Sequence, residues 1–254
     1  MIKSRRRGNG HRPSGYAISM TSLRSAAIAI AAAVALALAP ALLLSAGTLG
    51  AQGPNATLQR AVTAYKSATT ISARFDQTVS NPLTDRTLST SGELMRQRPN
   101  LLSISFNGTN PDRIVADGSN LWVYLPSSAP GQVIKVPASA GQRGMLVDPM
   151  GQILSAPMNS YAIADAGTAT IAGRATHAIT LTPKSREALF AKATLWIDDS
   201  DGLVRQLEST EPSGLIRKIT VTRFRTNVAI PRSTFEFIPP RNTRVIDGAS
   251  MIGG

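Results

Sequence analysis

The sequence predicts a mainly β domain of α+β character, with an antiparallel sheet, behind an N-terminal export segment. Three observations carry this expectation. An uncharged, alanine-rich run at 26–46 follows a cluster of cationic residues. The apolar period then changes from helical to two near Ile71. From there strands follow one another through short Asp-, Gly- and Pro-containing turns, with no alternating helices to make parallel crossovers.

The 254 residues are 43% hydrophobic, 17% charged and 5% aromatic, enough for one domain of about 200 residues plus a terminal segment. The formal charge is +12, but Lys3, Arg5, Arg6, Arg7, Arg12 and Arg24 stand in the first 51 residues, where no acid occurs. The remainder is only moderately basic and makes no case for nucleic-acid binding. With no cysteine, the chain forms no disulfide, has no thiol nucleophile and cannot accept a lipid on an N-terminal Cys.

In order along the chain, residues 1–51 read as a signal peptide, with an Arg-rich n-region, the apolar run and the small-residue stretch Gly47-Thr48-Leu49-Gly50-Ala51. Cleavage is expected between 47 and 51, and Met20 is an alternative start. The run exceeds the usual h-region, so an uncleaved anchor is the competing reading. Residues 52–254 are expected to form a single domain. Leu58, Ala61, Val62 and Tyr65 fall at i, i+3, i+4 and i+7, predicting one amphipathic helix with Thr57 as N-cap. About ten strands are expected between Ala73 and Phe237. Among them, Leu102, Ile104 and Phe106 share one face against Ser103, Ser105 and Asn107, and Trp122 and Tyr124 lie opposite Leu121, Val123 and Leu125. Asp198-Asp199-Ser200-Asp201-Gly202 predicts a solvated hairpin turn. The segment from Arg143 to Leu154 breaks the pattern and reads either as a short core helix with a Pro-started turn or as an adaptable cover over an apolar cavity. Met145, Leu146 and Met150 are its cavity or lid residues.

Catalytic chemistry is hard to build from this sequence. Outside the signal segment the only histidine is His177, in a strand pattern and with no G-x-S-x-G elbow in the chain. Asp198, Asp199 and Asp201 lack the twelfth-position Glu of a calcium loop, and no phosphate-binding glycine motif occurs. No enzyme activity, metal or cofactor is therefore expected. A basic surface of Arg217, Lys218, Arg223 and Arg225 with Phe224 is better read as the solvent face of a half-buried strand than as a nucleic-acid site, because Phe224 alternates to the other face from Arg223 and Arg225.

Several local sequences together resemble the LolA-type family of periplasmic outer-membrane lipoprotein carriers. They are Phe75-x-Gln77, Gly92-Glu93-Leu94 leading into Arg98-Pro99-Asn100, Asp117-Gly118-x-x-Leu121-Trp122-Val123-Tyr124 followed by Pro126, Leu181-Thr182-Pro183-Lys184, and Phe235-x-Phe237-x-Pro239-Pro240. The resemblance implies a strongly curved, incomplete antiparallel β-barrel whose helices cover an apolar cavity for acyl chains. It implies a periplasmic carrier that shuttles lipoproteins from inner to outer membrane. An inner-membrane lipoprotein-releasing ABC transporter would load it, and an outer-membrane receptor, where present, would unload it. A monomer is expected. Within the resemblance Arg98 becomes a latch between barrel and lid, and Leu102, Ile104 and Phe106 become cavity residues. Met95 and Leu102 stand where the family more often has aromatics. The missing N-terminal Cys fits the soluble shuttle rather than its lipid-anchored receptor. Removing an acyl chain of about 15 methylenes from a membrane costs on the order of 12 kcal/mol, which calls for an enclosed site. The alternative function is a lipid- or lipoprotein-sensing module of the same fold, membrane-tethered if the signal stays uncleaved.

Overall fold

The computed structural model describes residues 53–138, 149–185 and 188–248, all inside one compact unit, Gln52–Gly254. The expected signal segment, 1–51, and the lid residues Met145 and Leu146 lie outside the described residues.

Helix α1 (Pro54–Ser67) starts four residues earlier than the apolar stripe alone indicates. Proline suits the first helical position, because its φ is already helical and the N–H it lacks would have had no partner there. The carbonyl of Gly53 accepts the first turn's N–H groups, from Ala56 at 2.8 Å and Thr57 at 3.1 Å. Thr57 is therefore not the cap: it is buried within the first turn. The stripe Leu58, Ala61, Val62 and Tyr65 is buried as its spacing requires.

Twelve strands form one sheet: β1 (Thr70–Asn81), β2 (Arg86–Gln97), β3 (Leu101–Phe106), β4 (Arg113–Asp117), β5 (Asn120–Tyr124), β6 (Gln132–Pro137), β7 (Tyr161–Ile171), β8 (Arg174–Pro183), β9 (Lys192–Asp198), β10 (Val204–Thr210), β11 (Ile216–Thr226) and β12 (Arg244–Asp247). Their order is β12-β6-β5-β4-β3-β2-β1-β11-β10-β9-β8-β7. Among the described residues β7 and β12 are free edges, so the sheet is a curved, incomplete barrel. The antiparallel expectation holds except at one edge, where β12 runs parallel to β6. The chain reaches it by crossing the outer face through a short 3₁₀ turn (Arg232–Phe235), which buries Phe235 completely, and so arrives at the same end as β6. There the Arg244 N–H donates to the Gly131 carbonyl at 2.9 Å.

The two faces separate as the alternation demands. On the outer face Val115, Val133 and Phe237 form a cluster joined by Trp122 and Tyr124, whose ring centroids lie 5.6 and 5.9 Å from Phe237. On the inner face Leu121 packs toward Phe75 and Ile104. β5 is thus internal to the sheet, although all five of its residues are only half-buried.

α1 and a second helix, α2 (Pro149–Ser155), cover the inner face, sharing one core with Ile179, Leu181, Leu195, Ile197 and Leu207. Two features pin α1 to the β9–β10 turn. Gly202, at φ 72°, lies so close beneath the helix that a Cβ there would meet the Arg60 carbonyl at 3.3 Å. Arg60 donates to the carbonyl of Asp198 at 2.8 Å. The expectation of a solvated turn holds for Asp199, Ser200 and Asp201, which are exposed, but not for Asp198, which is 1% exposed. A bulge in β10 leaves Arg205 opposite no residue of β9, and Arg205 donates from Nε to Asp198 Oδ2 at 2.9 Å. Arg174 Nε donates to the same oxygen at 2.6 Å, and Ser200 donates to Oδ1. Burial works against the charged carboxylate, but hydrogen bonds from Arg174, Ser200 and Arg205 outweigh it and hold Asp198 well below the usual carboxylate range.

Candidate functional site

Between the inner face and the two helices lies a cavity of about 320 Å³. Its floor is β1, whose inward residues Ile71, Ala73, Phe75 and Gln77 all line it. The six residue-to-residue steps from Ile71 to Gln77, at about 3.3 Å each, make that floor about 20 Å long. Leu94 of β2, Ile104 and Phe106 of β3, and Ile114 of β4 form one wall. Ile219, Val221 and Phe224 of β11 form the other, and Pro149, Met150, Gln152 and Ile153 of α2 form the roof. Leu189 and Phe190 close the side, with Phe190 stacked on Tyr161 at 6.0 Å.

Two local devices make this lining possible. Gly92 lets the rings of Phe75 and Phe106 meet edge to face at 5.7 Å across β2, where a Cβ would stand 2.5 Å from the Ser105 carbonyl and 2.9 Å from Phe75. In β11, the β1 register passes from Val221 opposite Phe75 to Arg223 opposite Arg74, leaving Thr222 as the extra residue of a bulge. Arg217, Ile219, Val221 and Phe224 therefore line the cavity, and Arg223 and Arg225 are exposed.

The polar residues sit toward the ends. Near Ile71, the Arg96 guanidinium lies 4.0 Å from the centroid of the Tyr65 ring and donates to the Tyr65 carbonyl at 3.3 Å. Arg98, exposed at the end of β2, donates to the Ala68 carbonyl at 3.2 Å and to Tyr65 O at 3.4 Å. Both cations thus meet carbonyls at the C-terminal end of α1, where a helix leaves acceptors unsatisfied and favours positive charge. Sequence reasoning singled out Arg98 and not Arg96, which also lines the cavity. At the other end, near Gln77, Arg217 donates to Gln77 Oε1 at 3.2 Å and to Glu211 Oε1 at 3.3 Å.

Of the residues singled out from sequence, Ile104, Phe106 and Met150 line the cavity. Leu102 packs against the adjoining Phe75–Ile104 cluster without being part of the lining. Arg98 borders the site at the end of α1, and Met145 and Leu146 lie outside the described residues. His177 is remote, on β8, paired with Asp165 at 2.8 Å. Hydrogen bonds from the Gly167 N–H and from His177 keep the Asp165 carboxylate below its ordinary value.

The model of the outer membrane lipoprotein carrier protein LolA matches residues 66–238, about two thirds of the chain. This chain belongs to the LolA family. An outer-membrane lipoprotein carrier protein of Dechloromonas aromatica is 26% identical over 181 residues, covering 71% of this chain and 83% of the relative. One from Azotobacter vinelandii is 27% identical over 208 residues, covering 81% and 96%. Among solved structures, a LolA-superfamily protein from Nitrosomonas europaea covers 74% of this chain and 99% of its own, at 14% identity and a TM-score of 0.37. The matched region of this LolA-family chain takes in β1 to β11 and hence the whole sheet-borne lining of the cavity. No helix among the described residues is long and apolar enough to cross a membrane.

Proposed function

We propose that this protein is a periplasmic, non-enzymatic carrier that holds acyl chains of lipoproteins in its cavity and moves them from the inner to the outer membrane. The observation that carries the reading is the apolar cavity itself, built on a floor of about 20 Å along β1 in a chain of the lipoprotein-carrier family. A bilayer's hydrocarbon core is about 30 Å across, so one leaflet's acyl chain reaches about 15 Å. The floor accommodates that length. Such a chain loses its hydrophobic stabilisation on entering water, and the cavity restores part of it. The carrier thereby lowers the barrier to crossing an aqueous space without needing an affinity that would prevent release. In this reading an ATP-driven inner-membrane transporter loads the carrier, and an outer-membrane receptor or the membrane itself takes the cargo. Arg98 serves as the latch, tying the strand end to the last carbonyls of α1 until cargo enters.

The test is the dependence of affinity on chain length. A polarity-sensitive dye bound to the mature protein is displaced by acyl peptides of increasing length. Each buried methylene contributes about 0.8 kcal/mol, so affinity should tighten about fourfold per methylene until the cavity is filled. Equal displacement by six-carbon and fourteen-carbon chains would overturn the proposal.

A further inference from the structure

The cavity's two polar ends differ in a way that sets how a ligand lies within it. At the Tyr65 end the Arg96 guanidinium is stacked on a buried ring beneath the helix terminus. At the Gln77 end the side chains of Arg217 and Glu211 are 32% and 30% exposed, and Glu211 is the one carboxylate among the described lining residues. Arg217 bridges Gln77 and Glu211 there, and Ser209 lies beside them in the lining. A guanidinium has five N–H donors, more than Gln77 and Glu211 consume, and the carboxylate and amide oxygens are acceptors.

We infer that Gln77, Glu211 and Arg217 form a head-group site for neutral, hydrogen-bonding acyl heads, with the chain running along β1 so that its methyl end points to Tyr65. This inference rests on the carrier reading and adds the orientation and the chemical class of head. The class follows from charge. Glu211 already matches Arg217, so a free fatty acid's carboxylate would bring a second, unmatched negative charge into a half-buried site. An ester or amide head offers carbonyl acceptors to Arg217 and hydroxyl or N–H donors to Glu211 with no such conflict. Acylglycerol and acyl-amide heads therefore fit, and fatty-acid anions are disfavoured. Arg223 and Arg225, exposed on the opposite face of the same strand, take no part.

The experiment compares dodecanoate with monododecanoylglycerol, ligands with the same acyl chain, as displacers of the cavity dye at pH 7.5. The parent protein should prefer the ester by about tenfold, a modest charge-assisted hydrogen-bond effect. Glu211→Gln should abolish or reverse that preference by leaving Arg217 unmatched. Arg217→Gln should weaken the ester about tenfold more than it weakens the dye. Arg223→Gln should behave as the parent. Circular dichroism checks folding, and Gln77→Leu, which removes an acceptor without touching a charge, supplies a second variant and should weaken the ester severalfold. If dye and both ligands bind but every variant keeps the parent's ratio, the head-group site is wrong and the carrier reading stands. If the folded parent binds neither dye nor ligand, both fall.

Discussion

Replacing Gly92 with alanine should destabilise the domain and deform the cavity together. The added Cβ would stand 2.5 Å from the Ser105 carbonyl, 2.9 Å from Phe75 Cζ and 3.2 Å from the Phe106 Cα. The carbonyl is backbone of the paired strand β3 and cannot swing away, so the sheet must shift locally or the Phe75 ring must leave its contact with Phe106. Forcing such contacts in a packed interior costs about 1–3 kcal/mol. Against this, alanine restricts the unfolded chain and recovers about 0.5–1 kcal/mol. The balance is a loss of roughly 1–2 kcal/mol, a fall of about 2–8 °C in Tm for a domain of this size. Because Phe75 and Phe106 both line the cavity, dye affinity should fall as well. The assay is thermal unfolding by circular dichroism beside a dye titration on the same samples. A Tm that holds or rises, as the chain-entropy effect alone would give, would refute the packing argument at Gly92.

Two further outcomes follow from the charged groups. Arg98→Leu removes hydrogen bonds to Ala68 O and Tyr65 O at about 1 kcal/mol each, so exchange of a fluorescent acyl probe should speed up about tenfold or more. Arg96→Leu should also alter exchange, because Arg96 shares the Tyr65 carbonyl and lines the cavity, whereas exposed Arg223→Leu should not; equal rates in all three would reduce Arg98 to a strand-end residue. Asp198 is depressed in the folded state, so its contribution is complete above the ordinary carboxylate pKa of about 3.9 and is lost as pH falls below that value toward the lower folded one. Asp198→Asn should cost about 3 kcal/mol at pH 7 in urea unfolding and flatten the loss of stability below pH 4; a slope identical to the parent's would contradict this.

The parts of the fold legible in the sequence are those in which local period equals environment. Leu102, Ile104 and Phe106 alternate with serines, and the structure turns that face inward; the α1 stripe is equally direct. What escaped the sequence depends on one-residue events or distant partners. Arg217, Arg223 and Arg225 have the same parity, which places all three on one face of a regular strand, but the bulge at Thr222 sends Arg217 into the cavity and the other two to solvent. Glu211 stands just outside a strand and carries no periodic signal. The hairpin turn at Asp198 was legible, while its burial was not, since Arg60, Arg174 and Arg205 reach it from three elements. The parallel β12 depends on a chain crossing the outer face, which no local pattern records.

The carrier account is tested most directly by asking what touches the cavity wall in the cell. A photo-crosslinking residue, p-benzoylphenylalanine, in place of Phe106 samples the lining, and the same residue in place of Arg225 samples the exposed face of β11. The account predicts that irradiation of cells exporting the first protein yields adducts with acylated lipoproteins, and that these disappear when the cargo's acylated cysteine is replaced by alanine. The second protein should give none. Adducts of equal yield at both positions, or adducts at 106 that persist with unacylated cargo, would contradict it.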